Sequence, residues 1–91
     1  MMRKIKLTRA NKSILLKALA PYYYQQRVLG HSTQEVGKLI LKINALPADK
    51  KASFYAEEIF LMRSTINQLR NDQLAKGQYT DAADEMLLKL F

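Results

Sequence analysis

Apolar positions recur at helical spacing through most of the chain. Asn11, Leu15, Ala18, Leu19 and Tyr22 fall on one face, with Ile14 beside them. Thr8, just ahead, is a predicted N-cap, because its hydroxyl can accept from the free amides of a first turn. Pro21 interrupts that face. Its ring clashes with the preceding turn and it has no amide to donate, so it either kinks the helix or starts a second one at Tyr22. Gly30 suits the left-handed position that closes a helix. Ser32-Thr33-Gln34-Glu35 reads as a capping box, with the Ser32 hydroxyl and Glu35 carboxylate each satisfying an orphan amide. The helix that it opens turns Val36, Leu39, Ile40 and Ile43 inward and stops at Leu46-Pro47.

From Ala48 to Lys76 nothing breaks a helix. Tyr55, Ile59, Met62, Ile66 and Leu69 recur at steps of 4, 3, 4 and 3, a heptad-like seam widened by Phe54 and Leu61. Such a helix spans roughly 40 Å at 1.5 Å per residue, long enough to bend or to pair with another chain. Gly77 closes it. Thr80 caps a last helix, with Asp81, Asp84 and Glu85 near its positive end and Ala83, Met86, Leu87 and Leu90 facing in. Ile5 to Leu7 reads as a short strand or a tether, and residues 1–7 as a flexible basic arm. The expected fold is all-α: one domain over residues 1–91, a bundle of four or five helices with one long central helix.

Composition narrows this picture. A chain of 91 residues, 48% of them apolar, supports one core and not two. The absence of cysteine removes disulfides, thiolate metal sites and cysteine nucleophiles together. A small unstapled fold suits a reducing compartment, and the expected location is cytoplasmic. The basic start is followed by no signal-type apolar stretch, since Ile14-Leu15-Leu16 is broken by Lys17 and ended by Pro21. No run approaches the ~18 apolar residues of a membrane span.

Charge is distributed unevenly. Residues 1–34 contain Arg3, Lys4, Lys6, Arg9, Lys12, Lys17 and Arg27 and no acid, which gives +7. Residues 35–53 set Lys38, Lys42, Lys50 and Lys51 against Glu35 and Asp49, for +2. Residues 54–91 set Arg63, Arg70, Lys76 and Lys89 against Glu57, Glu58, Asp72, Asp81, Asp84 and Glu85, for −2. A basic half of this kind attracts polyanions or an acidic protein face.

Catalytic chemistry is poorly provided for. His31 is the only histidine and sits in a Gly30–Ser32 junction, with no ligands arranged around it for a metal. The glycines at 30, 37 and 77 are scattered and form no phosphate loop. Glu57 and Glu58 are adjacent and point to different helix faces, so they cannot act as a carboxylate pair. The expectation is a protein that is not an enzyme and uses no cofactor or metal.

Tyr22-Tyr23-Tyr24, followed by Gln25, Gln26 and Arg27, mixes aromatics with Arg and Gln, as base-stacking and protein-binding surfaces do. Three consecutive rings spread over about 200° of helical arc, so Tyr22 is expected inside and Tyr23 and Tyr24 partly exposed. Residues 51–70 also fit a helix-turn-helix pattern at Ala56, Ile59, Leu61, Ile66 and Leu69. In that reading Ser64-Thr65 starts a recognition helix offering Arg63, Asn67, Gln68 and Arg70. Phe60 stands where such turns usually have glycine, and the same residues fit the uninterrupted seam.

Two family resemblances attach to these stretches. Leu46 to Leu69, with Phe54-Tyr55 and Ser64-Thr65-Ile66-Asn67-Gln68-Leu69, resembles the third helix of Hha-type nucleoid-associated modulators, small helical partners of a DNA-silencing protein. A long helix, Gly77, Tyr79-Thr80 and an apolar last helix are similar to pediocin-like bacteriocin immunity proteins. No residue's role is carried over from either.

The functional expectation is a regulatory binding protein whose basic N-terminal half contacts nucleic acid. Arg3, Lys4, Lys6, Arg9, Lys12, Lys17 and Arg27 would meet phosphates, and Gln25 or Gln26 would add polar contacts. The alternative is an inhibitor, adaptor or immunity factor that occupies a partner protein through Tyr23, Tyr24 and Gln26, its acidic C-terminal half suiting a basic partner. A homodimer through Tyr55, Ile59, Met62, Ile66 and Leu69 fits either.

Overall fold

Thr8 starts the first helix as its sequence predicts. Its Oγ1 accepts from the Asn11 amide at 3.1 Å, and Asn11 Oδ1 accepts from the Thr8 amide at 3.0 Å, a reciprocal box. Asn11 thus spends its polar end on the cap while buried among apolar neighbours. This helix, α1 (Arg9–Val28), runs through Pro21 without ending. Pro21 has no amide to donate to the Lys17 carbonyl, and both residues are exposed. Gly30, at φ +75°, closes α1 with bonds from His31 N to Gln26 O (2.9 Å) and Gly30 N to Arg27 O (3.1 Å). That is the paired pattern of a Schellman motif.

The second helix, α2 (Gln34–Ala45), begins one residue later than the Ser32 box requires. Thr33 holds the cap position without a side-chain bond, and the residue three further on is buried Val36, whose side chain cannot accept from the cap amide. Ser32 Oγ reaches only the Gln34 amide, at 3.4 Å. Val36, Leu39 and Ile43 are buried and Ile40 is half-buried, as the periodicity predicts.

The computed structural model describes residues 2–91. Its main departure from the sequence reading is a sheet. Strand β1 (Met2–Leu7) pairs antiparallel with β2 (Lys50–Tyr55), Met2 opposite Tyr55 and Leu7 opposite Lys50. The basic arm is therefore a strand, fixed because Ile5 and Leu7 are buried. The long helix from Ala48 is likewise shortened to α3 (Ala56–Ala75). In a strand successive side chains point to opposite faces, so Phe54 is fully buried while Tyr55, a seam position, is 52% exposed. Glu58 accepts from the Tyr55 amide at 2.8 Å where α3 begins. Gly77, at φ +69°, ends α3 in a second Schellman motif, and α4 (Asp81–Leu90) completes the order.

Among the described residues the domain is thus four helices and one two-stranded sheet. The fold is mainly helical, though not all-α. α1 is the hub, packed against α2, α3 and α4, and α3 also packs on α4. α1 and α3 have 20 residues each, so no single helix dominates. Ile59, Met62 and Ile66 fill the core shared with these helices, and Leu69 is half-buried. Met62 and Ile66 are 0% exposed, so these two seam residues are taken up by the core of this chain. Residues 56–75 form one continuous helix in which Ser64 and Thr65 donate to Phe60 O and Leu61 O, each at 2.9 Å. That described stretch contains no helix-turn-helix turn. Among the described residues no helix is long and apolar enough to cross a membrane.

Candidate nucleic-acid interface

Antiparallel register decides where the basic strand residues point, because directly opposed residues share a face. Arg3, Ile5 and Leu7 lie opposite Phe54, Ala52 and Lys50, and this face carries the buried Ile5, Leu7 and Phe54. Lys4 lies opposite Ser53, and Lys6 opposite Lys51, on the outer face. Lys4, Lys6 and Lys51 are exposed, Ser53 is half-buried, and exposed Met2 and Tyr55 end the row. Each free edge receives an ammonium. Lys89 Nζ donates to Lys6 O at 3.2 Å, and Lys42 Nζ to Ser53 O at 2.7 Å. Cations at strand edges block pairing with another chain.

The seven cations singled out by sequence divide into two groups. Arg3 belongs to the fold. Its guanidinium donates to Lys89 O (2.6 Å), Leu90 O (2.9 Å) and Phe91 O (2.8 Å), carbonyls at the end of α4 that lack helical donors. Lys12 serves α2 in the same way, donating to Leu46 O at 2.5 Å and Asn44 O at 3.4 Å. The remaining five, Lys4, Lys6, Arg9, Lys17 and Arg27, are exposed and form no side-chain hydrogen bond or salt bridge among the described residues. Arg9 and Arg27 share one outer azimuth of α1, about 27 Å apart along the axis, with Lys17 turned about 80° from them. Lys51 joins the open cations and was missed, because a helix reading of residues 48–76 gives no reason to set it beside Lys6.

The tyrosines are arranged largely as the arc argument predicts. Tyr22 is half-buried against the core. Tyr23 is half-buried and meets Tyr24 edge to face, at 5.7 Å between centroids and 84° between planes. Tyr24 is 63% exposed. Gln26 is half-buried, with Oε1 2.8 Å from His31 Nδ1, so neither is idle. Ala20, Tyr23, Tyr24, Gly37, Ile40 and Leu41 line a shallow apolar groove between α1 and α2.

Two of the eight carboxylates form salt bridges, and one of these, Glu58, lies at the β2 edge beside Ser53 and Tyr55. Glu58 pairs with Lys42 at 3.0 Å, and Asp84 with Arg70 at 2.5 Å, the two salt bridges among the described residues. The Thr80 hydroxyl donates to Asp84 at 2.8 Å and, with Arg70, holds that carboxyl below its ordinary value. No group of three metal-ligating side chains is found among the described residues.

No protein-family model, curated protein or solved structure matches the chain. The stretch resembling a third helix of the Hha-type modulators contains strand β2, so its first part is not helical. The α3–Gly77–α4 arrangement likened to the immunity proteins is present.

Proposed function

We propose that this protein binds nucleic acid without catalysis, through an open basic surface formed by the outer face of the sheet and the outer face of α1. The observation that carries the reading is the state of its cations. Lys4, Lys6, Lys51, Arg9, Lys17 and Arg27 are exposed and unpaired among the described residues, while both salt bridges involve acids of the C-terminal half. Phosphates are the ligand that uses many such cations together, releasing counterions as they bind. Anisotropy of labelled duplex DNA and single-stranded RNA, titrated at several salt concentrations, tests it. A log–log salt slope of about −3 or steeper is expected, and absence of binding at low salt overturns it.

A second reading has its own observation. The groove beside Tyr24 is apolar, Leu41 is 70% exposed and Val28 at the end of α1 is 85% exposed, a surface suited to a protein partner. That reading makes the protein an inhibitor or adaptor. It is favoured if a stoichiometric protein complex resists nuclease and high salt and is lost in Tyr24→Ala and Leu41→Ala.

A further inference from the structure

We propose that the β1–β2 ribbon is the element that enters nucleic acid, and that it lies face-down in the major groove of duplex DNA. This rests on the nucleic-acid reading above and specifies its geometry. Lys6 and Lys51 are directly opposed on the outer face. The carbonyls of Lys6 and Ser53 accept from Lys89 and Lys42 outside the ladder, so they point away from the partner strand. Lys6–Lys51 and Lys4–Ser53 are therefore non-hydrogen-bonded pairs, the class with Cα atoms only about 4.5 Å apart. Like charges so placed destabilise a sheet. No carboxylate pairs with either lysine among the described residues. The fold gains nothing from this pair, whereas a bound polyanion turns it to use.

The rest of the face fits the same ligand. Lys4 stands two residues from Lys6, about 7 Å along the strand, so three ammoniums converge on one patch. By contrast, the α1 cations are spread over about 27 Å and do not converge. Ser53, opposite Lys4, is the small polar residue of the face, and a serine hydroxyl can donate to or accept from base edges. Six-residue strands give a ribbon about 20 Å long. Its two strands fit a groove about 12 Å wide, as two-stranded ribbons do. Lys42 also lies 4.5 Å from the centroid of the inward Phe54 ring, and Lys89 also contacts Asn11. Lys89 thus reaches the ribbon from the core side. Lys42 sits at the β2 edge between the inward Phe54 ring and the outer-face Tyr55 ring, 6.0 Å from the latter's centroid. The Lys4, Lys6 and Lys51 end of the outer face is therefore the open one. Duplex RNA has a deep, narrow major groove that such a face cannot enter.

The test uses the full chain, a labelled 20-base-pair DNA duplex, the matching RNA duplex and single strands. Two triple variants are compared with the parent: Lys4→Gln/Lys6→Gln/Lys51→Gln, and Arg9→Gln/Lys17→Gln/Arg27→Gln. The ribbon variant is expected to lose about 2.7 from the magnitude of the log–log salt slope, which makes its affinity about 40-fold less salt-sensitive between 50 and 200 mM. Dimethyl sulfate should show guanine N7 protection in the major groove with the parent and none with the ribbon variant. Urea unfolding should find that variant no less stable than the parent, which separates lost contacts from lost folding. Binding with an unchanged slope in the ribbon variant overturns the inference while leaving the nucleic-acid reading intact. So does adenine N3 protection without N7, or equal affinity for RNA. Failure to bind any nucleic acid at low salt overturns both.

Discussion

Replacing Arg3 by glutamine separates structural cations from open ones. The guanidinium donates to three carbonyls at 2.6 to 2.9 Å, at the C-terminal end of a helix of only ten residues. Hydrogen bonds to a charged group contribute about 1.5–3 kcal/mol each in favourable sites, and a cation at a helix C-terminus adds about 0.3–1 kcal/mol. Arg3 is largely exposed, so water replaces part of what is lost and the net cost falls to about 1–2 kcal/mol. A domain this size has roughly 5–14 kcal/mol in total, so the loss is readily measured. Each kcal/mol corresponds to about 4–8 °C in Tm. Urea unfolding of Arg3→Gln should show a lower midpoint at unchanged m, and its salt slope on duplex DNA should stay close to that of the parent. Lys4→Gln, one residue along and on the opposite face, should do the reverse: unchanged stability and a slope smaller by about 0.9. If Arg3→Gln leaves stability within about 0.3 kcal/mol and lowers the slope as Lys4→Gln does, the assignment of Arg3 to the end of α4 is wrong.

Two further outcomes follow from single contacts. Asp84 is held below its ordinary value by the Thr80 hydroxyl and then by Arg70, so its ionised form is favoured by folding. Its contribution is present above the unfolded-state value and lost as pH falls through the folded-state one. Asp84→Asn should therefore be less stable than the parent at neutral pH, with the gap closing below about pH 4; a pH-independent gap in urea midpoints contradicts this. Gly37 lies inside α2, where a Cβ would stand 3.7 Å from the Tyr23 ring, an ordinary contact. Gly37→Ala should raise stability by about 0.5–1 kcal/mol through helix propensity, and a fall in Tm would mean that the groove beside Tyr23 cannot accept a methyl.

Local signals were legible and non-local ones were not. The Thr8 cap, the closures at Gly30 and Gly77, and the inward faces of α1, α2 and α4 each depend on residues within a few positions, and all are found. Ile59, Met62 and Ile66 recur at the seam's spacing and are buried, because α3 does follow that period. The period alone did not say whether they pack this chain or a second one. Strand β2 was missed for two reasons. Lys50–Tyr55 contains no helix breaker, and its two inward apolar residues, Ala52 and Phe54, are too few to distinguish period 2 from period 3.6. Its partner β1 is distant in sequence, so no hairpin turn announces the pairing. The Ser32 box failed by one residue, within the usual uncertainty of a helix boundary.

The candidate site was harder to read because charge was visible in sequence while its use was not. Arg3, Lys12, Lys42 and Lys89 all end on backbone carbonyls that their own elements leave without donors: two helix ends and two strand edges. Nothing in composition distinguishes them from Lys4 or Lys6, which alternate with Arg3 and Ile5 along the same strand. Net charge alone is therefore a weak guide to binding, because part of it is consumed in closing the fold. The informative cations are those left without a structural task, and among them the pair whose placement works against stability. Lys6 facing Lys51 is such a pair, and it exists only through the strand pairing that local periodicity does not reveal. The feature hardest to read from sequence is thus the one on which the functional argument turns.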